Sequence, residues 1–158
     1  MARKSEKTER FYEENNIERK KEWLKRYYHL TCDIADLRDE YERVSSLATS
    51  VTSAISKIRV KHSSEDKIQV AIEALSEIEE QIAEAAKEAQ SARDEIVSVI
   101  SQVSNIMERT ILQKRYLLNK TFEEISEDLN FDIRWLMRIH LRALASLEIE
   151  FDDQEDCA

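Results

Sequence analysis

The sequence predicts an all-α protein, a long antiparallel coiled-coil helical hairpin followed by a C-terminal helix-turn-helix. Three observations predict it. The 158 residues include no glycine and no proline, and the tight turns of β-rich folds lean on both. Apolar residues recur in alternating steps of three and four over most of the chain, the period of paired helices. From Thr121 onward the pattern shortens into two helix-length blocks separated by a few turn-forming residues. Hydrophobic residues at 42% and charged residues at 36% suit exposed helices with narrow apolar seams rather than a large globular core.

Residues 1–21 form a charged N-terminal arm with almost no seam. Residues 1–26 carry nine Lys/Arg against six Glu, so the arm reads either as a frayed helix start or as a basic segment touching phosphates. Trp23, Tyr27 and Tyr28 follow it and read as packing residues at the open end of a hairpin.

Residues 22–104 carry that hairpin. The first seam is Tyr27, Leu30, Ile34, Leu37, Tyr41, Val44, Ala48, Val51, Ile55 and Ile58. The second runs Ile68, Ala71, Leu75, Ile78, Ile82, Ala85, Ala89, Ala92, Ile96, Val99, Val103 and Ile106. Between them RVKHSSEDK, residues 59–67, is short enough to make the helices antiparallel neighbours, with Ser63 or Ser64 as the cap of the second. Volume suggests a register in which Ile58 faces Ile68, Ile34 faces Ala92 and Tyr41 faces Ala85, because large side chains then meet small ones. Each arm would run roughly 50–60 Å at the helical rise. Two helices alone bury only one stripe each, so further burial is expected against another chain, as a homodimer, or against the C-terminal module.

Residues 105–148 form the C-terminal module. A first helix ends at Asn119-Lys120. It either continues the second arm or breaks from it near Ser104. Thr121 and Glu124 have the spacing of a capping box, so a short helix runs Phe122–Leu129, exposing Glu123, Glu127 and Asp128 and turning in Ile125 and Leu129. Asn130 is the residue to take a left-handed turn where glycine is lacking. Asp132 caps a last helix, Ile133 to about Glu148, with Leu136, His140, Ala143 and Leu147 inward and Ile139 and Leu144 flanking. Its outward face begins Arg134, Trp135, Arg138. A short turn before an amphipathic helix with basic residues at its start is the layout that enters a DNA major groove.

The stretch RYLLNKTFEEISEDLNFDIRWLMRIHLRALASL resembles the helix-turn-helix of sigma-factor region 4. Arg115-Tyr116, Thr121, Glu124-Ile125, the Leu129–Asp132 turn, Leu136, and Arg142-Ala143 with Leu147 carry the likeness. With LATSVTSAIS (residues 47–56) and the acidic arm after it, roughly residues 22–148 resemble small phage and prophage proteins of Gram-positive bacteria. These join a coiled-coil hairpin to a sigma-like helix-turn-helix and are described as phage transcriptional regulators. The family pattern often has glycine where this chain has Asn130 and Leu141, and an exposed Leu141 raises the case for a protein contact. The resemblance implies DNA as partner, a cytoplasmic location in a bacterial host, and a structural pair between Arg142 and Glu124.

The residues expected at DNA are Arg134 and Arg138 for base edges, Trp135 for a sugar or thymine methyl, and Lys114, Arg115, Lys120 and the Thr121 hydroxyl for phosphates. Each has a plainer reading. The arginines are then solvated charges, Trp135 packs on the module's own core, and Arg115 meets a local acid. His140 reads as a core histidine. The net charge of -9 speaks against a nucleic-acid binder, but the acids gather in residues 63–104 and in the tail 149–158. In 105–147 seven Lys/Arg stand against six acids. The rival expectation is a protein-interaction factor engaging host RNA polymerase or another host protein, with little DNA binding. The acidic tail is then either a solvated end or a mimic of phosphate on the basic face.

No enzyme is expected. His29, His62 and His140 match no ligand spacing, no phosphate loop is present, and Glu73, Glu77, Glu80, Glu84 and Glu88 lack the Glu-x-x-His of a carboxylate metal site. No cofactor, metal or small-molecule substrate is implied. Cys32 and Cys157 form no disulfide framework, and neither a signal peptide nor a run of about 18 apolar residues stands in the sequence.

Overall fold

The computed structural model describes residues 2–57 and 63–151. All regular structure among them is helical. Helix α1 runs Ala2–Lys57 and α2 Ser63–Ser101. Three short helices follow: α3 (Ile106–Leu112), α4 (Phe122–Leu129) and α5 (Ile133–Ser146), with a π-helical turn, Gln113–Leu117, continuing α3. No helix among the described residues is long and apolar enough to cross a membrane.

The chain groups into two compact units, one of residues 29–91 and one made from both ends, 1–28 with 92–158. In the first unit the seam positions turn inward as the heptads require. Ile34, Ile78 and Ala89 are buried, and every other described seam residue there is partly covered. Antiparallel pairing is marked by the Tyr41 hydroxyl, which donates to Glu79 Oε1 at 3.0 Å.

That bond corrects the register. Tyr41 meets Glu79, not the neighbourhood of Ala85, so the pairing lies close to one heptad from the one that side-chain volume suggested. Helix α2 takes in the SSEDK that was read as linker and begins at Ser63. Ser63 and Ser64 are thus helical, and Ile58 lies outside the described residues.

The larger of the second unit's two apolar clusters is drawn from both segments of that unit. Leu24 of α1, Ile96, Ile100 and Val103, Leu112 and Tyr116, and Ala143, Leu144 and Leu147 form a buried cluster. Ile17, Trp23 and Tyr27 pack against it. The α1 segment before Tyr28 is thus neither frayed nor peripheral from Ile17 onward. Lys20 is only 7% exposed, and its ammonium donates to the carbonyls of Leu144 at 3.0 Å and Ala145 at 3.4 Å. A cation on the last carbonyls of a helix satisfies groups that have no intrahelical partner and offsets the negative end of the dipole. Burial lowers the Lys20 pKa, while Glu148 acts in the opposite direction. Arg26 pairs with Glu95 and lies over the Trp23 ring at 4.2 Å.

Helix α2 does not run into the module. It ends at Ser101, and Asn105 caps α3 by accepting from Met107 N at 2.9 Å and Glu108 N at 3.2 Å. Arg109 reaches back across the break to the Val103 carbonyl at 2.9 Å. The second seam therefore stops at Val103, and Ile106 is 71% exposed.

Candidate nucleic-acid interface

Helices α4 and α5 are joined by three residues, and each end of that connection has an identifiable cause. Thr121 and Glu124 form the expected capping box: the hydroxyl accepts from Glu124 N at 3.2 Å, and the Glu124 carboxylate accepts from Thr121 N at 2.7 Å. These bonds hold the Glu124 carboxyl below its ordinary pKa. Asn130 ends α4 in the left-handed region, φ 55°, and Phe131 N then donates to the Ser126 carbonyl at 3.3 Å. Asp132 caps α5 through Arg134 N at 2.9 Å and Trp135 N at 3.2 Å.

The inner face of α5 is set firmly. Leu136, Ala143 and Leu144 are fully buried, and Ile139, His140 and Leu147 nearly so. Leu136 and Ile139 pack with Ile111 and Ile125 in a second apolar cluster. His140 is a core histidine. Its Nε2 hydrogen-bonds the Tyr116 hydroxyl at 2.9 Å, and the Phe122 ring meets it edge-on at 5.1 Å. Burial drives its pKa down to about 4, with Lys21 and Arg115 adding to the effect.

This anchoring leaves one face of α5 to solvent. Arg134 and Arg138 lie on it four residues apart, and neither has a partner among the described residues. Met137 (48% exposed) and Leu141 (44%) lie beside them. Trp135 is half-buried. It stacks on Phe131 with ring centroids 4.5 Å apart and packs against the second cluster, so the packing reading describes most of its surface. Helix α5 contains three arginines and no acid; α4 contains four acids and no base.

The expected phosphate contacts are engaged within the chain. Lys114 and Lys120 both pair with Asp128 Oδ2, at 2.8 and 2.5 Å. Arg115 donates to the Lys120 carbonyl at 2.9 Å and lies 5.3 Å from the centre of the Phe122 ring, so it meets a carbonyl rather than an acid. The Thr121 hydroxyl serves the cap. Arg142 corrects the implied pair with Glu124. Its Nε donates to Glu108 at 2.6 Å, because Glu124 is committed to the cap and the buried Glu108 carboxylate needs a partner.

No protein-family model, curated protein or solved structure matches this chain. The site must be read from its own geometry. No cluster of His, Cys, Asp and Glu fit to hold a metal is seen among the described residues.

Sequence reasoning missed three participants. Asp128 looked like a solvated acid of α4, and its tie to Lys114 and Lys120 crosses two turns that no helical period connects. Lys20 was hidden by its distance from α5 in the chain. Met137 was legible, since it falls three residues after Arg134 on the outward side of α5.

Proposed function

We propose that the protein is a DNA-binding transcriptional regulator of phage origin in which α4 and α5 act as a helix-turn-helix and α5 enters the major groove. The observation that carries this reading is the pair Arg134 and Arg138. They are exposed, without a partner among the described residues, and near the start of a helix whose opposite face is packed into two apolar clusters. Two guanidinium groups so held suit bidentate contact with guanine edges. Lys114, Arg115, Lys120 and Thr121 flank them as phosphate contacts, with Trp135 against a sugar or methyl group. A second copy packed along the half-covered hairpin seam belongs to the same reading, since paired half-sites call for a dimer. Light scattering at tens of micromolar should give twice the 18.6 kDa chain mass.

The test is fluorescence anisotropy on duplex fragments of the genome that encodes the protein, at about 100 mM salt. Selected fragments should bind, and Arg134→Ala/Arg138→Ala should lose at least tenfold in affinity, since each good bidentate contact is worth about 1–3 kcal/mol. Equal binding by wild type and double mutant would remove α5 as the reading helix.

A second reading is favoured by Met137, Leu141 and the acidic α4. Apolar side chains framed by arginines suit a protein surface such as host RNA polymerase, and the acids of α4 repel a phosphate backbone. Absence of DNA binding with retained polymerase binding, lost in Leu141→Asp, would put this reading first.

A further inference from the structure

Lys114 and Lys120 are brought together by backbone geometry rather than by helical spacing. The π-helical turn Gln113–Leu117 closes with Leu118 N on the Gln113 carbonyl at 3.2 Å. Asn119 then turns left-handed, φ 54°, and Lys120 N donates to the Lys114 carbonyl at 3.0 Å. Residues six apart are thereby folded onto one spot. Both ammonium groups contact the same oxygen, Asp128 Oδ2, so their nitrogens are no further apart than those two bonds laid end to end. One tetrahedral oxyanion bridges such a span with charge-assisted contacts of about 2.7–2.9 Å.

We infer that Lys114 and Lys120 form an oxyanion site for a phosphate group, and that Asp128 is its resident internal counter-ion, displaced when phosphate binds. For a phosphate of the DNA backbone this rests on the reading above; for free phosphate it does not. The local charge supports exchange. Two lysines and the Arg115 guanidinium outweigh Asp128 and the neighbouring Glu124, so the site keeps one net positive charge while Asp128 occupies it. All three bridging side chains remain partly open to solvent, at 22%, 33% and 31%, so an incoming anion reaches them without unfolding. The Asp128 carboxyl is held below its ordinary pKa by these bonds and the Lys120 ammonium above its own, so this pair stays charged at neutral pH. Asp128 weakens the binding of a lone phosphate, and a phosphate whose ligand also engages α5 displaces it more readily.

The experiment titrates the full chain with inorganic phosphate and follows the amide resonances of Lys120 and Thr121. Asp128→Asn, a surface change whose fold is checked by circular dichroism, should saturate at severalfold lower phosphate than wild type. Adding Lys114→Gln to it should remove the gain. Glu127→Gln, the same charge change one residue away, where no bond to either lysine is seen among the described residues, should behave as wild type. On duplex DNA, Asp128→Asn should bind severalfold tighter and steepen the log affinity against log salt slope by about 0.9, the contribution of one neutralised phosphate. Identical phosphate titrations for wild type and Asp128→Asn, or an equal gain from Glu127→Gln, would overturn the inference even if DNA binds. A phosphate gain in Asp128→Asn without DNA binding by either protein would uphold the site and discard the DNA reading.

Discussion

Tyr116 and His140 share a hydrogen bond inside the C-terminal core, and burial moves their titrations in opposite directions. The imidazole is held neutral, with its pKa lowered to about 4, and the phenol is pushed well up. An unfolded histidine takes its proton near pH 6.5, so between 6.5 and about 4 the unfolded chain binds more protons. Stability is full above that window and is lost as pH falls through it, by up to about 3 kcal/mol. The phenol sets the other edge. Its contribution is full below pH 10, the ordinary tyrosine value, and fades above it. Melting temperature against pH should show a plateau with both shoulders, and His140→Gln should flatten the acid one. Carboxylates with lowered pKa, Glu124 and Asp128, add their losses only lower in pH. At Lys20, replacement by Met keeps the stem but removes the bonds to α5, and chemical denaturation should report a cost of about 1–2 kcal/mol.

Short elements here are governed by their ends. Asn130 at φ 55° has the side chain best suited to the left-handed region after glycine. Asn130→Gly should therefore be close to neutral and Asn130→Ala should cost about 1 kcal/mol in thermal or urea unfolding. Such ends were the most legible part of the chain. Thr121 with Glu124, Asn130 and Asp132 each announce a local bond that forms between near neighbours, and α4 has the bounds those residues imply. The inward face of α5 was legible for the same reason, since Leu136, His140, Ala143 and Leu147 follow one period. Other features were not. The π-helical turn leaves no periodic trace over five residues. The hairpin register was not legible from volume, because two alanine-rich heptads fit several alignments equally well. The partners of Arg142 and of Lys114 and Lys120 lie in other elements, and local spacing carries no information about them.

At the scale of the whole molecule, the C-terminal helices do not own their core. Leu24 is fully buried among residues of α2, the π turn and α5, so Leu24→Ala should cost about 2–5 kcal/mol and lower the melting of the C-terminal helices with it. A fragment of residues 105–151 lacks Lys20, Leu24, Ile96 and Ile100, and should show little fixed helix by circular dichroism and bind apolar dyes. The charge pattern also belongs to this scale. The net -9 gathers outside α5, which bears only positive charge, so association with any polyanion should weaken steeply with salt. The bond from Lys20 to the Leu144 carbonyl joins positions 124 residues apart, and it sets a timetable for synthesis. Helix α1 leaves the ribosome with the Lys20 ammonium far ahead of its acceptors, and it finds its place only after Leu144 and Ala145 have been made. Assembly of this unit is therefore a late, non-local and slow event, and a ribosome stalled before residue 144 releases a chain marked as unfinished at its own beginning.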